Sequence, residues 1–139
     1  MRFLVTGTDE QGRGCVVEQK DIQDRAEKLV FQKIFETLDG VTGSTVDSTG
    51  SFRDIAPASG EARWGVVTFP PGSVHPPHHT RSIDFDTVLS GSIDLGLDDG
   101  DYRLEAGDSV VITAVDHGWR VGPEGCTMTV LALGVAQRD

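Results

Sequence analysis

The stretch IDFDTVLSGSIDLGLDDGDYRL, residues 83–104, decides the fold. Ile83, Phe85 and Thr87 alternate with Asp84, Asp86 and Val88, then Ile93, Leu95 and Leu97 alternate with Asp94 and Gly96. A period of two is the signature of strands, and the Asp99-Gly100 step at the head of the second run favours a tight hairpin turn. The reading is a strand over residues 83–89 ended by Ser90-Gly91, a second over 93–97, the acidic tip Asp98-Asp99-Gly100-Asp101, and a third over 102–104. The EF-hand spacing with its closing glutamate is absent, so the aspartates of the tip read as a solvated turn.

The pattern extends on both sides. Residues 64–69 form a strand stopped by Pro70-Pro71-Gly72; Ala106-Gly107-Asp108 turns the chain into a strand over 109–113; residues 127–133 follow the turn Gly122-Pro123-Glu124-Gly125. Short strands at such intervals predict an all-β sandwich or barrel of the jelly-roll kind. Upstream, residues 2–6 and 15–17 read as an opening hairpin across the turn-rich link 7–12. Residues 29–37 keep both strand and helix spacing, with their Val, Ile and Phe content favouring strand. Residues 39–60 hold four glycines among many Ser, Thr and Asp and read as a long surface loop. The expected organisation is one domain, with strands and loop over 1–60 packing on a barrel core over 61–139.

The 139 residues fit one domain, and the 17 glycines suit many short strands. The formal net charge of −10 argues against a nucleic-acid partner or an anionic membrane surface. No segment approaches the ~20 apolar residues of a membrane span, and the first ten residues lack the hydrophobic region of a signal peptide, so the expected location is cytoplasmic. Cys15 and Cys126, without a CxxC motif, read as buried free thiols. There is no phosphate loop, no dinucleotide fingerprint and no serine elbow.

The four histidines fall at two places, His75, His78 and His79 together and His117 alone. Gly72 is followed after five residues by His78, after one by Thr80, after three by Asp84 and after six by Gly91. That spacing resembles the first motif of the cupins, the small double-stranded β-helix family, with Thr80 in place of the second histidine and Asp84 in place of the glutamate. The run from Gly107 to His117 resembles the second motif more loosely, lacking its proline and glycine. The strings from His78 to Phe85, Val88 to Gly91, Leu97 to Gly100 and Asp116 to Trp119 are similar to a subgroup of small single-domain bacterial and fungal cupins.

The resemblance implies a double-stranded β-helix, a jelly-roll barrel with an irregular N-terminal extension, in which His78, Asp84 and His117 point inward. Such a set holds a divalent metal, Fe, Mn, Ni or Zn, as a facial triad with open positions. Thr80 would orient a metal-bound water. Asp86, two residues from Asp84, faces the same side of its strand and is either a general acid or base or a strand-end carboxylate paired with water, Arg81 or Arg120. Trp119 shares parity with His117 and is a candidate pocket wall. His79, turned away from His78 by strand parity, is a candidate for the pocket entrance, and His75 reads as a surface residue of a turn. Two functions follow: a metal-dependent cupin enzyme acting on a small organic molecule by oxygenation, isomerisation or lyase chemistry, or a metal-free cupin that binds a small molecule without catalysis. Cupins often pair as homodimers through their N-terminal strands, for which residues 29–35 are the candidate contact.

Overall fold

The computed structural model describes residues 2–21 and 57–136, and every regular element in them is a strand. The order is β1 (Arg2–Thr8), β2 (Gly14–Asp21), β3 (Ala62–Phe69), β4 (Val74–His78), β5 (Ser82–Leu97), β6 (Gly100–Glu105), β7 (Ser109–Thr113) and β8 (His117–Gly134). The all-β expectation is met. The readings of residues 29–37 as strand and of 39–56 as loop lie outside the described residues. Among the described residues no helix is long and apolar enough to cross a membrane.

The eight strands form one sheet in the order β2-β1-β7-β5-β8-β3, with β4 added on β8 and β6 on β5. The opening hairpin forms as β1 and β2, and β1 then joins β7 in parallel through Phe3↔Ser109, Leu4↔Val110 and Val5↔Val111. The Asp99-Gly100 hairpin also forms, pairing Leu97 with Gly100 and Ile93 with Leu104.

Two elements are longer than the sequence reading. Residues 83–89 and 93–97 are a single strand, β5, and residues 117–134 are another, β8. The glycines read as stops are corners instead: Gly91 (φ 73°) sits beside Gly125 (φ 80°), and the β5–β8 register shifts on both sides of Gly91. A glycine bulge bends a strand without ending its ladder. The first half of β5 thus pairs with the far half of β8, residues 127–134, and its second half with residues 118–121. The double-stranded wrap follows from these two bent strands.

The core closes between the halves. Leu4, Ile93, Leu95, Leu104, Ile112 and Met128 are fully buried, each contributing about 1.5–3 kcal/mol by leaving water. Cys15 and Cys126 are free thiols, Cys15 half-buried and Cys126 buried.

Candidate functional site

β5 is the central strand of the site. Asp84 stands opposite Ile112 of β7 and Ala132 of β8, and Asp86 opposite Val110 and Val130. All four of those neighbours are buried and apolar. Alternation puts both carboxyl groups on one face of β5, and both are 4% exposed. They line a cavity of about 270 Å³ together with His78, Thr80, His117 and Trp119.

The second wall comes from β4, laid across β8. His78 pairs with His117 and His75 with Trp119. Directly opposed residues on paired strands bring their side chains together, and the His78 and His117 ring centroids are 4.4 Å apart. The strand tolerates Pro76-Pro77 because its register slips between His75 and His78, so the prolines are not asked to donate to the ladder.

Each imidazole is oriented by its own backbone. His117 Nδ1 lies 2.9 Å from the Val115 carbonyl oxygen and His78 Nδ1 lies 3.1 Å from that of Pro76. A carbonyl only accepts, so Nδ1 carries a hydrogen in both rings. Burial pushes the His117 pKa below the ordinary histidine value, a shift opposed by the Val115 contact and reinforced by His78. His117 is therefore a neutral base at neutral pH. Ala114, three residues earlier, holds φ at 51° without being glycine, so the turn that aims His117 carries left-handed strain.

The two carboxyl groups differ. Burial raises the Asp84 pKa, opposed by the Ser82 Oγ hydroxyl, which donates to Asp84 Oδ1 at 2.6 Å, and by His78. Asp86 is raised well above the usual carboxylate range by burial and then by the nearby Asp84 charge. Its Oδ1 has no hydrogen-bond partner among the described residues, and neither has Thr80 Oγ1. Unpaired buried polar atoms are rare in folded proteins because each costs about 1–3 kcal/mol.

The walls are apolar: Val67, Phe69, Met128 and Val130 line the same cavity. Phe69 packs edge-on against His75 with centroids 5.1 Å apart and lies 6.3 Å from Trp119. The sequence reading did not assign these four residues to the site, although strand parity on β3 and β8 groups Val67 with Phe69 and Met128 with Val130.

His78, Asp84, Asp86, Thr80, His117 and Trp119 all line one cavity. Two histidines exchange roles. His75, read as a surface residue, lines the cavity with Nε2 3.2 Å from Ser73 Oγ, because β4 is a strand and not a turn. His79, read as an entrance residue, stands off the cavity lining with Nδ1 3.0 Å from Asp116 Oδ1, both side chains exposed. Nor does Asp86 meet Arg81 or Arg120; it is buried within the cavity wall. As for a metal, among the described residues no group of three His, Cys, Asp or Glu side chains is placed to hold an ion. His78 and His117 offer two nitrogen donors and Asp84 a carboxylate whose Oδ1 accepts from Ser82, an arrangement common to ligating carboxylates, while Thr80 supplies no imidazole.

Gly118, between His117 and Trp119, allows β4 to lie this close. A Cβ there would sit 3.0 Å from His75 O and 3.1 Å from Pro77 N, both backbone atoms. Gly118→Ala is expected to lift β4, separate His78 from His117 and cost about 1–3 kcal/mol in urea unfolding. An unchanged unfolding midpoint would show that β4 lies farther off.

A bent double-stranded β-barrel with an apolar-walled cavity, two carboxyl groups and paired imidazoles on strands from different parts of the chain defines the architectural class. The chain belongs to the cupin family: the family model described as "Cupin domain" matches residues 65–133. Phomopsin biosynthesis cluster proteins C' and D of Diaporthe leptostromiformis are each 33% identical to it over 133 residues, covering 86% of this chain and 69% of theirs. A structure of unknown function from Rhizobium leguminosarum superposes with TM-score 0.50 at 18% identity, covering 56% of this chain and 75% of that one. A polyketide cyclase from Streptomyces resistomycificus is 27% identical with TM-score 0.47, the match spanning 51% of this chain and 53% of the cyclase.

Proposed function

We propose that this cupin binds a small organic molecule in its barrel and moves a proton on it, an isomerisation or lyase-type reaction next to a carbonyl. The observation that carries the reading is the buried Asp86 carboxyl on the lining of an apolar-walled cavity that His117 also lines. A carboxyl kept protonated by burial can give a proton to a substrate oxygen, and a neutral imidazole with a bare Nε2 can take one from carbon. Thr80 lines the same cavity, and Trp119 with Phe69 forms the apolar wall that keeps water from competing. The relatives from Diaporthe leptostromiformis are named for a phomopsin biosynthesis cluster, which supports a biosynthetic reaction for this chain by analogy.

The test is deuterium uptake from D2O, followed by NMR, into enolisable carbonyl compounds of both charge types, acetylacetone and acetoacetate. Uptake above the uncatalysed rate is expected with one of them, falling by about 10²–10⁴-fold in His117→Ala. Uptake that survives His117→Ala unchanged, or none with either compound, would overturn the reading.

A divalent ion on the His78–His117 pair is a second reading, favoured by the 4.4 Å approach of the rings. It makes the protein a metal-dependent cupin, with Fe, Mn, Ni or Zn as candidates. Elemental analysis of untagged protein separates the two, since stoichiometric metal lost on His78→Ala supports the ion and its absence supports proton transfer by the side chains alone.

A further inference from the structure

His75 takes no part in proton transfer by Asp86 and His117, yet it lines the same cavity. We infer that His75 is a specificity-determining residue: its Nδ1 accepts a hydrogen bond from a hydroxyl or N–H group of the guest, which is therefore a carbonyl compound that also carries a donor. The inference rests on the reading of the cavity as a site for a carbonyl compound.

Strand pairing turns the ring inward. His75 stands opposite Trp119 of β8, and directly opposed residues of an antiparallel pair share one face of the sheet. Trp119 is buried and lines the cavity. His75 is the one residue of β4 that is not exposed.

Two contacts then fix the ring. Phe69 meets it edge-on, with the planes at 71°. Ser73 Oγ lies 3.2 Å from Nε2, and the Ser73 hydroxyl donates its single hydrogen to the Pro70 carbonyl oxygen at 2.8 Å. A hydroxyl whose hydrogen is committed elsewhere can only accept. Nε2–H is thus the donor, and the neutral ring keeps its lone pair on Nδ1. The tautomer is the reverse of that in His78 and His117, whose Nδ1 atoms face carbonyl oxygens. His75 Nδ1 has no hydrogen-bond partner among the described residues, and it is not one of the occluded unpaired atoms, Thr80 Oγ1 and Asp86 Oδ1. A guest that brings a donor to this fixed acceptor pairs it. An ether oxygen in the same place sets one lone pair against another, and such repulsion discriminates between guests.

Titration calorimetry at about pH 7.5, where an ordinary imidazole is mostly neutral, compares α-, meta- and para-hydroxyacetophenone with their methyl ethers and with acetophenone. The full chain is expected to bind at least one hydroxy ketone about tenfold more tightly than acetophenone and than its own ether, the effect of one hydrogen bond. His75→Phe, which keeps a ring against Phe69 but offers no acceptor, is expected to remove that preference. Ser73→Ala, which releases the tautomer, is expected to reduce it severalfold and decides the matter if His75→Phe does not fold. Equal binding of hydroxy ketones and ethers, a preference unchanged in a folded variant of either kind, or no binding of any probe would each overturn the inference. Proton transfer is judged separately. Deuterium uptake into acetylacetone without a hydroxyl preference would retain that reading and reject the role of His75; a hydroxyl preference lost in His75→Phe, without deuterium uptake, would do the reverse.

Discussion

Asp86→Asn is expected to fold, to lose proton transfer by about 10²–10⁴-fold, and to become more stable than the parent protein as pH rises. The activity follows from replacing an acid by an amide, which fills the same space and still donates a hydrogen bond but releases no proton in the working range. The stability effect follows from linkage. Burial raises the Asp86 pKa well above the ordinary aspartate value of 3.8, so between that value and the raised one the folded chain holds a proton that the unfolded chain has released. In that window the folded state binds more protons, and stability falls as pH climbs. Each unit by which the folded pKa is raised removes about 1.4 kcal/mol by the top of the window. The amide has no such window. The difference between variant and parent is therefore small near pH 4 and grows toward alkaline pH, by roughly 4 °C in melting temperature for each kcal/mol at this chain length. Thermal unfolding at a series of pH values reads it directly. A difference that stays flat with pH would mean that Asp86 is not held protonated by the fold, and the general acid would be lost with it.

The carboxyl pair was legible in the sequence because a strand of period two has only two faces. Once residues 83–89 are read as a strand, Asp84 and Asp86 must share one side, and they do. His78 and His117 came from the resemblance to the two cupin motifs, and the strand pairing supplied the direct opposition that puts the ring centroids 4.4 Å apart. The strand β4 was hidden by its own composition. A segment reading Val74-His75-Pro76-Pro77-His78 has two residues without an amide hydrogen, and only a partner able to accommodate the register slip makes it a strand. His75 was misassigned for that reason. The apolar walls were visible as strands but not as a site, since Val67 or Met128 in a sequence says only that it is buried, not whether a neighbour or a guest fills the space beside it. The Ser82 hydroxyl that donates to Asp84 Oδ1 leaves no trace in motif spacing, which counts positions and not contacts.

The largest loss of stability is expected from Gly91→Ala. Ser90-Gly91 reads as the end of a strand, and in the structure it is the point where β5 bends against the matching bend of β8. Gly91 has φ 73°, and a Cβ built on it would stand 1.9 Å from Gly125 O, 2.8 Å from Gly125 C and 3.2 Å from Cys126 Cα. None of these is the end of a side chain that can rotate away. The left-handed conformation alone costs alanine about 1–2 kcal/mol, and forcing two backbones apart at a corner adds to it, so the total is expected to exceed ~4 kcal/mol, beyond most single substitutions. Gly12→Ala is the control, because Gly12 has φ 76° and nothing within 4 Å of a Cβ, and it should cost only the conformational part. Urea unfolding of the two variants measures the difference. Equal losses would show that the two strands do not cross so closely at the corner. If the gap is as large as the geometry requires, the corner matters to the site as well as to the fold: it lets one strand send Asp84 and Asp86 into the cavity with its first half and Ile93 and Leu95 into the core with its second. Two separate strands joined by a loop would have to find that alignment independently.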